Sequence, residues 1–337
     1  MLDIEDGTGS FCGKCGNQKG NSSPDIGGGH HRSLELRFKV MSYHRCTVGV
    51  AQNNFSPHIN EFIDKKQSAF KHFLVDQYTS SGLGGYDQNN TEQIKYKCGE
   101  KITAVEHADG QSYWVLTHFI SSFYAFRVDS DGVNPSPSIS NVTPSIGIEG
   151  YRRNAIGYVK SSPDGEKIAI AHNQNGNQEG ESSSNGSAWI YDFNKETGQV
   201  TGAMEVLSNE RFYGVAFSQN SEKVYFSSSS GVKQIDLTAT DVPNSATSIY
   251  QSFTGFMGGM QLGPDGKIYI CNPGNNSALD VINSPNESGN LANYVESGQQ
   301  LSFGTNANYG LPPFIQSFLV ANISYVYDCA GSSTEFS

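Results

Sequence analysis

Short apolar runs separated by turn residues recur along most of the chain. The clearest is Gln261 to Ile270, where Pro264-Asp265-Gly266 lies between two apolar arms. Proline fixes φ and glycine tolerates positive φ, so the triplet reverses the chain. The apolar flanks make it a β-hairpin, with Gly259 to Gly263 running up and Lys267 to Cys271 returning. Ser161 to Ile170 is the same hairpin with other side chains, built on Pro163-Asp164-Gly165. His107 to Leu116 carries a third turn at Asp109-Gly110, and Phe217 to Phe226 is a degenerate copy around Asn220-Ser221.

The turns at Asp109, Asp164, Asn220 and Asp265 are 55, 56 and 45 residues apart, and periods near 40 to 50 residues with several strands per unit mark propeller blades. Each unit has a third alternating run: Phe123 to Asp129, Ala188 to Phe193, Val232 to Leu237 and Ala278 to Ile282. The pattern predicts an all-β fold, a β-propeller of about six to seven blades of the WD or YVTN type. Excess length falls in polar loops such as Asn173 to Ser187.

Outside the repeats, residues 1–33 are rich in Gly, Asn, Ser and Asp and predict an irregular, disordered or loosely packed segment. Leu34 to Val40 alternates as a strand, and Cys46 to Ala51 is a candidate partner for it. The spacing of Ile59 to Phe73 permits a short helix. Ser80 to Asn90 reads as a polar loop, Gln93 to Lys97 as a strand, and Leu301 to Phe303 and Phe314 to Tyr327 as closing strands. The propeller is thus assigned to residues 34–328, and 329–337 to the start of a linker.

Composition narrows the function classes. A formal net charge of −11, with no basic cluster beyond pairs such as Lys65-Lys66 and Arg152-Arg153, argues against nucleic-acid binding. No window approaches a membrane-spanning apolar run. The start, Met1 to Gly7, lacks the basic and apolar regions of a signal peptide. The six cysteines do not fix the compartment.

Several stretches in order resemble one family. Lys101 to His107 with Tyr113 to His118, Ile156 to Gly165, Tyr213 to Ser218, Gln261 to Ile270 and Gly310 to Phe318 are similar to successive signatures of the WD-type propeller module of large Bacteroidetes cell-surface proteins. Those proteins often carry PKD domains and a C-terminal type IX secretion or gliding-motility sorting domain. The resemblance covers about residues 75–335, and residues 1 to about 70 depart from it. It implies an extracellular or cell-surface module of a longer secreted protein, with Asp328-Cys329-Ala330-Gly331 resembling the junction to a following PKD domain. The partners it implies are further domains of the same polypeptide and a protein or glycan ligand, with no cofactor.

Candidate chemistry is sparse. Cys12-x-x-Cys15, with His30, His31, His44 and Cys46 downstream, is a weak zinc candidate, since two thiolates two residues apart can reach one metal. A redox pair, or an incidental or disulfide role, is the alternative. His107 and His118 flank Trp114 on one hairpin; turn alignment puts His107 in a column with Ser162, Ser218 and Gly263 that is expected to hold blade geometry. Asp129, Asp192, Asp236 and Asp280 recur in third strands, which points to folding. Aligned mouth positions of the inner strands are Thr103, Tyr158, Gly214 and Gly259, with no carboxylate or imidazole among them. The expectation is therefore a non-enzymatic binding or scaffold module, with Tyr158, Tyr213 and Arg152 as ligand contacts. The alternative is a lactonase- or lyase-like propeller enzyme with a metal site at the channel mouth.

Overall fold

The computed structural model describes residues 98–129, 131–144, 155–175, 186–253, 255–311 and 313–319 with their side chains, and only the backbone of six further strands. Four of these strands, β1 (Ser10–Gly13), β2 (Leu34–Met41), β3 (Ala69–Asp76) and β4 (Gly85–Lys95), form one antiparallel sheet in that order. Blade 1 follows with β5 (Ile102–Glu106), β6 (Tyr113–Phe119) and β7 (Ser122–Asp129), whose far edge pairs with β8 (Gly132–Val133) and β9 (Ser138–Asn141). Blade 2 is β10 (Val159–Ser161), β11 (Lys167–His172), β12 (Ser187–Phe193) and β13 (Val200–Ser208). Blade 3 is β14 (Phe212–Phe217), β15 (Lys223–Ser228), β16 (Gly231–Asp236) and β17 (Thr247–Gln251). Blade 4 is β18 (Met260–Leu262), β19 (Ile268–Cys271), β20 (Ala278–Ile282) and β21 (Tyr294–Gln300). A last pair joins β22 (Tyr325–Val326) to β23 (Glu335–Phe336). The fold is all-β and propeller-like, with helical content among the described residues limited to short 3-10 turns.

The four blades share one hairpin. In each, the residue that closes the inner strand donates its N–H across the turn: His107 to Ser112 O, Ser162 to Lys167 O, Ser218 to Lys223 O and Gly263 to Lys267 O. The turn itself needs one left-handed residue, and Gly110, Gly165, Ser221 and Gly266 occupy it at φ +66, +74, +62 and +76°. The expected column of His107, Ser162, Ser218 and Gly263 is therefore a structural column, as the alignment of turns predicts.

Apolar residues fill the spaces between neighbouring blades. Trp114, Leu116 and Phe123 meet Val159, Ile168, Ile170 and Tyr191 between blades 1 and 2. Ala169, Ala171 and Ile190 meet Phe212, Val215, Phe217 and Phe226 between blades 2 and 3. Tyr225, Val232 and Ala216 meet Met260, Leu262, Ile268 and Ile270 between blades 3 and 4. Each large apolar side chain removed from water contributes about 1.5–3 kcal/mol, so these layers hold the inner strands β5, β10, β14 and β18 side by side.

A final segment packs against both blade 4 and blade 1. Leu301, Ala307 and Leu311 pack against Cys271 and Leu279 of blade 4. Ile315 joins Cys98, Ile102, Ala104, Val115 and Phe126 on the other end of the stack, in blade 1. Phe318 sets its ring edge-on to Tyr113 at 5.9 Å, and Leu319 O accepts from Gln219 Nε2 at 3.0 Å. Residues 301–319 thus tie blade 4 to blade 1.

Several boundaries differ from the sequence reading. Each blade has a fourth strand at its outer edge, where exposure removes the apolar alternation; β13 buries only Val200 and Val206. Residues 69–73, placed in a helix by their spacing, belong to β3, because Leu34–Met41 offers them an alternating partner with Val40 opposite Phe70. Gly85 to Asn90, expected as loop, belongs to β4. Ser10–Gly13, inside the segment expected to be irregular, is a strand opposite β2. Leu301 to Phe303 forms no strand, and the region expected as a strand from Phe314 contains a 3-10 turn at Gln316–Leu319. β22 pairs with β23.

Candidate active site

The inner strands begin at one mouth of the stack, and the residues just ahead of them converge there. Cys98-Gly99-Glu100-Lys101 leads into β5, Gly157-Tyr158 into β10 and Gly258-Gly259 into β18, while Tyr213 is in β14. Glu100, Lys101, Ile102, Gly157, Tyr158, Tyr213 and Pro313 line a cleft of about 30 Å³. Gly157 is required in its wall: its φ is +131°, and a Cβ there would collide with Ala171 O. The bare N–H of Gly157 instead donates to Glu100 Oε1 at 2.8 Å.

The ionisable groups at this mouth are strongly perturbed. Packing around the Glu100 carboxyl raises its pKa from 4.5 to about 7, against the Gly157 N–H and the Lys101 charge, which both act to lower it. Burial brings Lys101 down from 10.5 to about 7, opposed by Glu100. Lys101 Nζ and His172 Nδ1 share a hydrogen bond of 3.1 Å, whose direction follows the histidine tautomer. His172 and His118 are both buried, with ring centroids 5.3 Å apart, and desolvation with the Lys101 charge holds His118 well below the usual histidine range. On β10, Lys160 is buried and also lowered to about 7; its Nζ donates to Gln261 Oε1 at 2.6 Å and lies 5.5 Å from the Tyr158 ring centroid. A carboxyl and an amine near neutrality line one cleft, the perturbation expected of a candidate acid–base site.

Tyr158 and Tyr213, expected as contacts, are brought together here with ring centroids 5.3 Å apart, and Tyr213 also meets Phe256 at 5.7 Å. Both are half-buried. The Tyr158 hydroxyl donates to Leu311 O at 3.1 Å and accepts from Leu311 N at 3.0 Å, and burial raises its pKa far above the usual value. Arg152 lies outside the described residues. Of the zinc candidates, Cys12 falls in β1, described by its backbone alone; Cys15, His30, His31, His44 and Cys46 lie outside the described residues. Among the described residues no three His, Cys, Asp or Glu side chains cluster as metal ligands would.

The other aligned positions have structural partners. Thr103 Oγ1 accepts from Ser161 N at 3.2 Å, Gly214 N donates to Ser227 Oγ at 2.7 Å, and a Cβ on Gly259 would sit 2.7 Å from the Tyr158 hydroxyl. His107 Nδ1 accepts from Asp109 N at 3.0 Å and its ring stacks on Trp114 at 5.3 Å, while His118 packs edge-on against Phe123. Asp192 and Asp236 pair with the directly opposed Lys167 and Lys223 at 2.6 and 2.9 Å. Asp129 caps a turn by accepting from Asp131 N. Asp280 is out of this column: it stands opposite Ile270, and accepts from Asn272 Nδ2, Tyr294 OH and Ser297 N.

Sequence reading missed Glu100, Lys101, Lys160 and His172. Glu100 and Lys101 lie just before the aligned mouth positions. Lys160 shares an inner-strand column with Val105, Ala216 and Gln261, and a lysine among such residues was the available signal.

No protein-family model matches the chain, and no curated protein matches it. Solved structures with a similar fold include the periplasmic gluconolactonase of Pseudomonas aeruginosa (13% identity, TM-score 0.44, covering 89% of this chain and 74% of that one). A gluconolactonase from Xanthomonas campestris is similar at 11% identity and TM-score 0.42, over 73% of this chain and 75% of that one. A Bacteroides uniformis protein assigned, without confirmation, as a 6-phosphogluconolactonase is similar at 14% identity and TM-score 0.47, over 79% and 68%. The expectation of a non-enzymatic binding or scaffold module, which rested on inner-strand positions without carboxylate or imidazole, is corrected: Glu100 and Lys101, both brought toward neutrality by burial, line the same cleft as Tyr158 and Tyr213. The aligned inner-strand positions alone conceal Glu100 and Lys101, because both precede β5.

Proposed function

We propose that the chain is a propeller enzyme that opens a small lactone with water by general acid–base catalysis at the β5–β10–β14 mouth. The observation that carries this reading is the Glu100 carboxyl, half ionised near neutrality at the edge of a cleft whose volume of about 30 Å³ suits a single water. Ionised Glu100 takes a proton from that water as its oxygen bonds to the ring carbonyl carbon. The bond from that carbon to the ring oxygen then breaks, and the proton passes from Glu100 to the leaving oxygen, giving the hydroxy acid. Lys101, in the same cleft, offers N–H donors to the oxyanion that forms on the way. Tyr158 and Tyr213 form the aromatic wall against which the substrate ring lies.

The test is acid release from a δ-lactone of gluconic acid, followed at constant pH and corrected for spontaneous hydrolysis. Turnover in the wild type and a roughly 10²- to 10⁴-fold loss in Glu100→Gln are expected. Turnover no faster than the spontaneous rate would sink the proposal. For the architecture, a ring of six to seven blades is proposed; the repeated hairpin and inter-blade packing of blades 1 to 4 support it.

A further inference from the structure

At the opposite end of the same inner strands lies a larger cavity of about 210 Å³, between the turns of blades 1 and 2 and beneath the 3-10 turn Gln316–Leu319. Its walls include Glu106, His107, Asp164, Lys195 and Ser317, with small residues such as Ala108 and Gly165 between them. The Ser317 hydroxyl oxygen is buried and has no hydrogen-bond partner. A hydroxyl shielded from water normally finds a partner, so Ser317 Oγ offers the cavity a hydrogen-bonding group that no protein atom uses. Lys195 Nζ donates to Asp164 O at 2.8 Å and keeps further N–H groups for another acceptor.

We infer that this cavity binds a neutral polyol of monosaccharide size. The walls place two carboxylates, Glu106 and Asp164, against one ammonium, Lys195, which disfavours an anion. The same ammonium disfavours a simple cation. A hydroxyl group both donates and accepts, so neighbouring hydroxyls satisfy the carboxylate, the ammonium and Ser317 together. The volume accommodates about one six-membered polyol ring. Because this site is at the far mouth from Glu100, its success or failure is independent of the acid–base reading.

D-glucose serves as the probe, titrated into the full chain and followed by saturation-transfer NMR and calorimetry. Saturable binding is expected, weakened roughly 5-fold in Ser317→Ala and in Glu106→Gln, the loss of one hydrogen bond each. Ala108→Leu, which fills the cavity from its exposed rim, abolishes binding while the melting temperature stays near that of the wild type. Absence of binding, binding that the three variants leave unchanged, or preference for phosphate or for zwitterionic glycine over glucose each overturns the inference.

Discussion

Lys160 on the inner strand of blade 2 donates to Gln261 Oε1 on the inner strand of blade 4, 2.6 Å away, passing over blade 3. The intervening residue in the same column is Ala216, whose methyl leaves room for the longer side chain. Both ends are buried, so the amine is held out of water by one amide oxygen and the Tyr158 ring. Burial lowers the pKa of Lys160, and that of Lys101, to about 7.

This arrangement sets a pH dependence of stability. Between about pH 7 and 10.5 the unfolded lysines hold protons that the folded ones have lost, so stability rises with pH across that window. Below pH 7 both states are protonated and the full cost of the buried charges remains. Glu100 acts in the reverse sense: its folded pKa is raised, so stability falls as pH climbs from 4.5 to about 7. Urea midpoints are therefore expected to pass through a minimum near neutrality. Lys160→Met removes part of the alkaline limb, by up to about 1.4 kcal/mol per pH unit. A flat profile from pH 7 to 10 in the wild type contradicts this account.

Activity gives a second reading of the same carboxyl. If ionised Glu100 is the base, kcat/KM rises through about pH 7. Gly157→Ala removes neither ionisable group, yet its Cβ collides with Ala171 O and moves the N–H that Glu100 accepts. The rising limb then shifts and kcat falls at least about 10-fold, as misplacement of a catalytic group does. An unchanged pH profile in Gly157→Ala shows that the Gly157 contact does not set the state of Glu100.

The hairpin column allows a comparison between turns. Gly110 and Gly165 occupy equivalent left-handed positions, at φ +66 and +74°. A Cβ at Gly110 meets nothing within 4 Å, whereas at Gly165 it comes to 2.9 Å from Lys195 Cδ and 3.0 Å from Val105 Cγ1. Gly110→Ala is expected to cost about 1 kcal/mol, from conformation alone. Gly165→Ala costs more, by about another 1 kcal/mol for packing. Denaturation with urea checks the order, and equal losses would show that the neighbours of Gly165 yield freely.

The four turns were legible because each joins a reversal to flanking apolar strands, and the degenerate copy holds Ser221 at φ +62° where the others have glycine. The outer strands were not, because solvent on their exposed side erases the alternation, as in β17. The site escaped for a different reason. Glu100 and Lys101 are adjacent charges in a polar stretch, which in sequence resembles a solvated loop; only the approach of Gly157, Tyr158 and Pro313 desolvates them. His172 lies on the second strand of its blade, 71 positions from the lysine it meets.

Tyr158 and Tyr213, expected as ligand contacts, could both be replaced with alanine at little cost in stability only if they were exposed. Their rings are half-buried and the Tyr158 hydroxyl holds two hydrogen bonds to Leu311, so the condition is not met. Tyr158→Phe keeps the ring but strands the Leu311 N–H and carbonyl, at a cost of about 1–3 kcal/mol. It also loosens the closing segment, since these two bonds fix Leu311 to the mouth. Tyr213→Ala removes a ring that contacts Tyr158 and Phe256, for about 0.5–1.5 kcal/mol beyond the lost apolar area. The two variants separate in catalysis. Tyr213 is bonded to no reacting group in the proposed step and forms the wall, so its loss raises KM for the lactone more than it lowers kcat. Melting temperatures and steady-state kinetics on both variants decide the matter: unchanged melting of Tyr158→Phe contradicts the anchoring role of Leu311, and a pure kcat loss in Tyr213→Ala contradicts the wall.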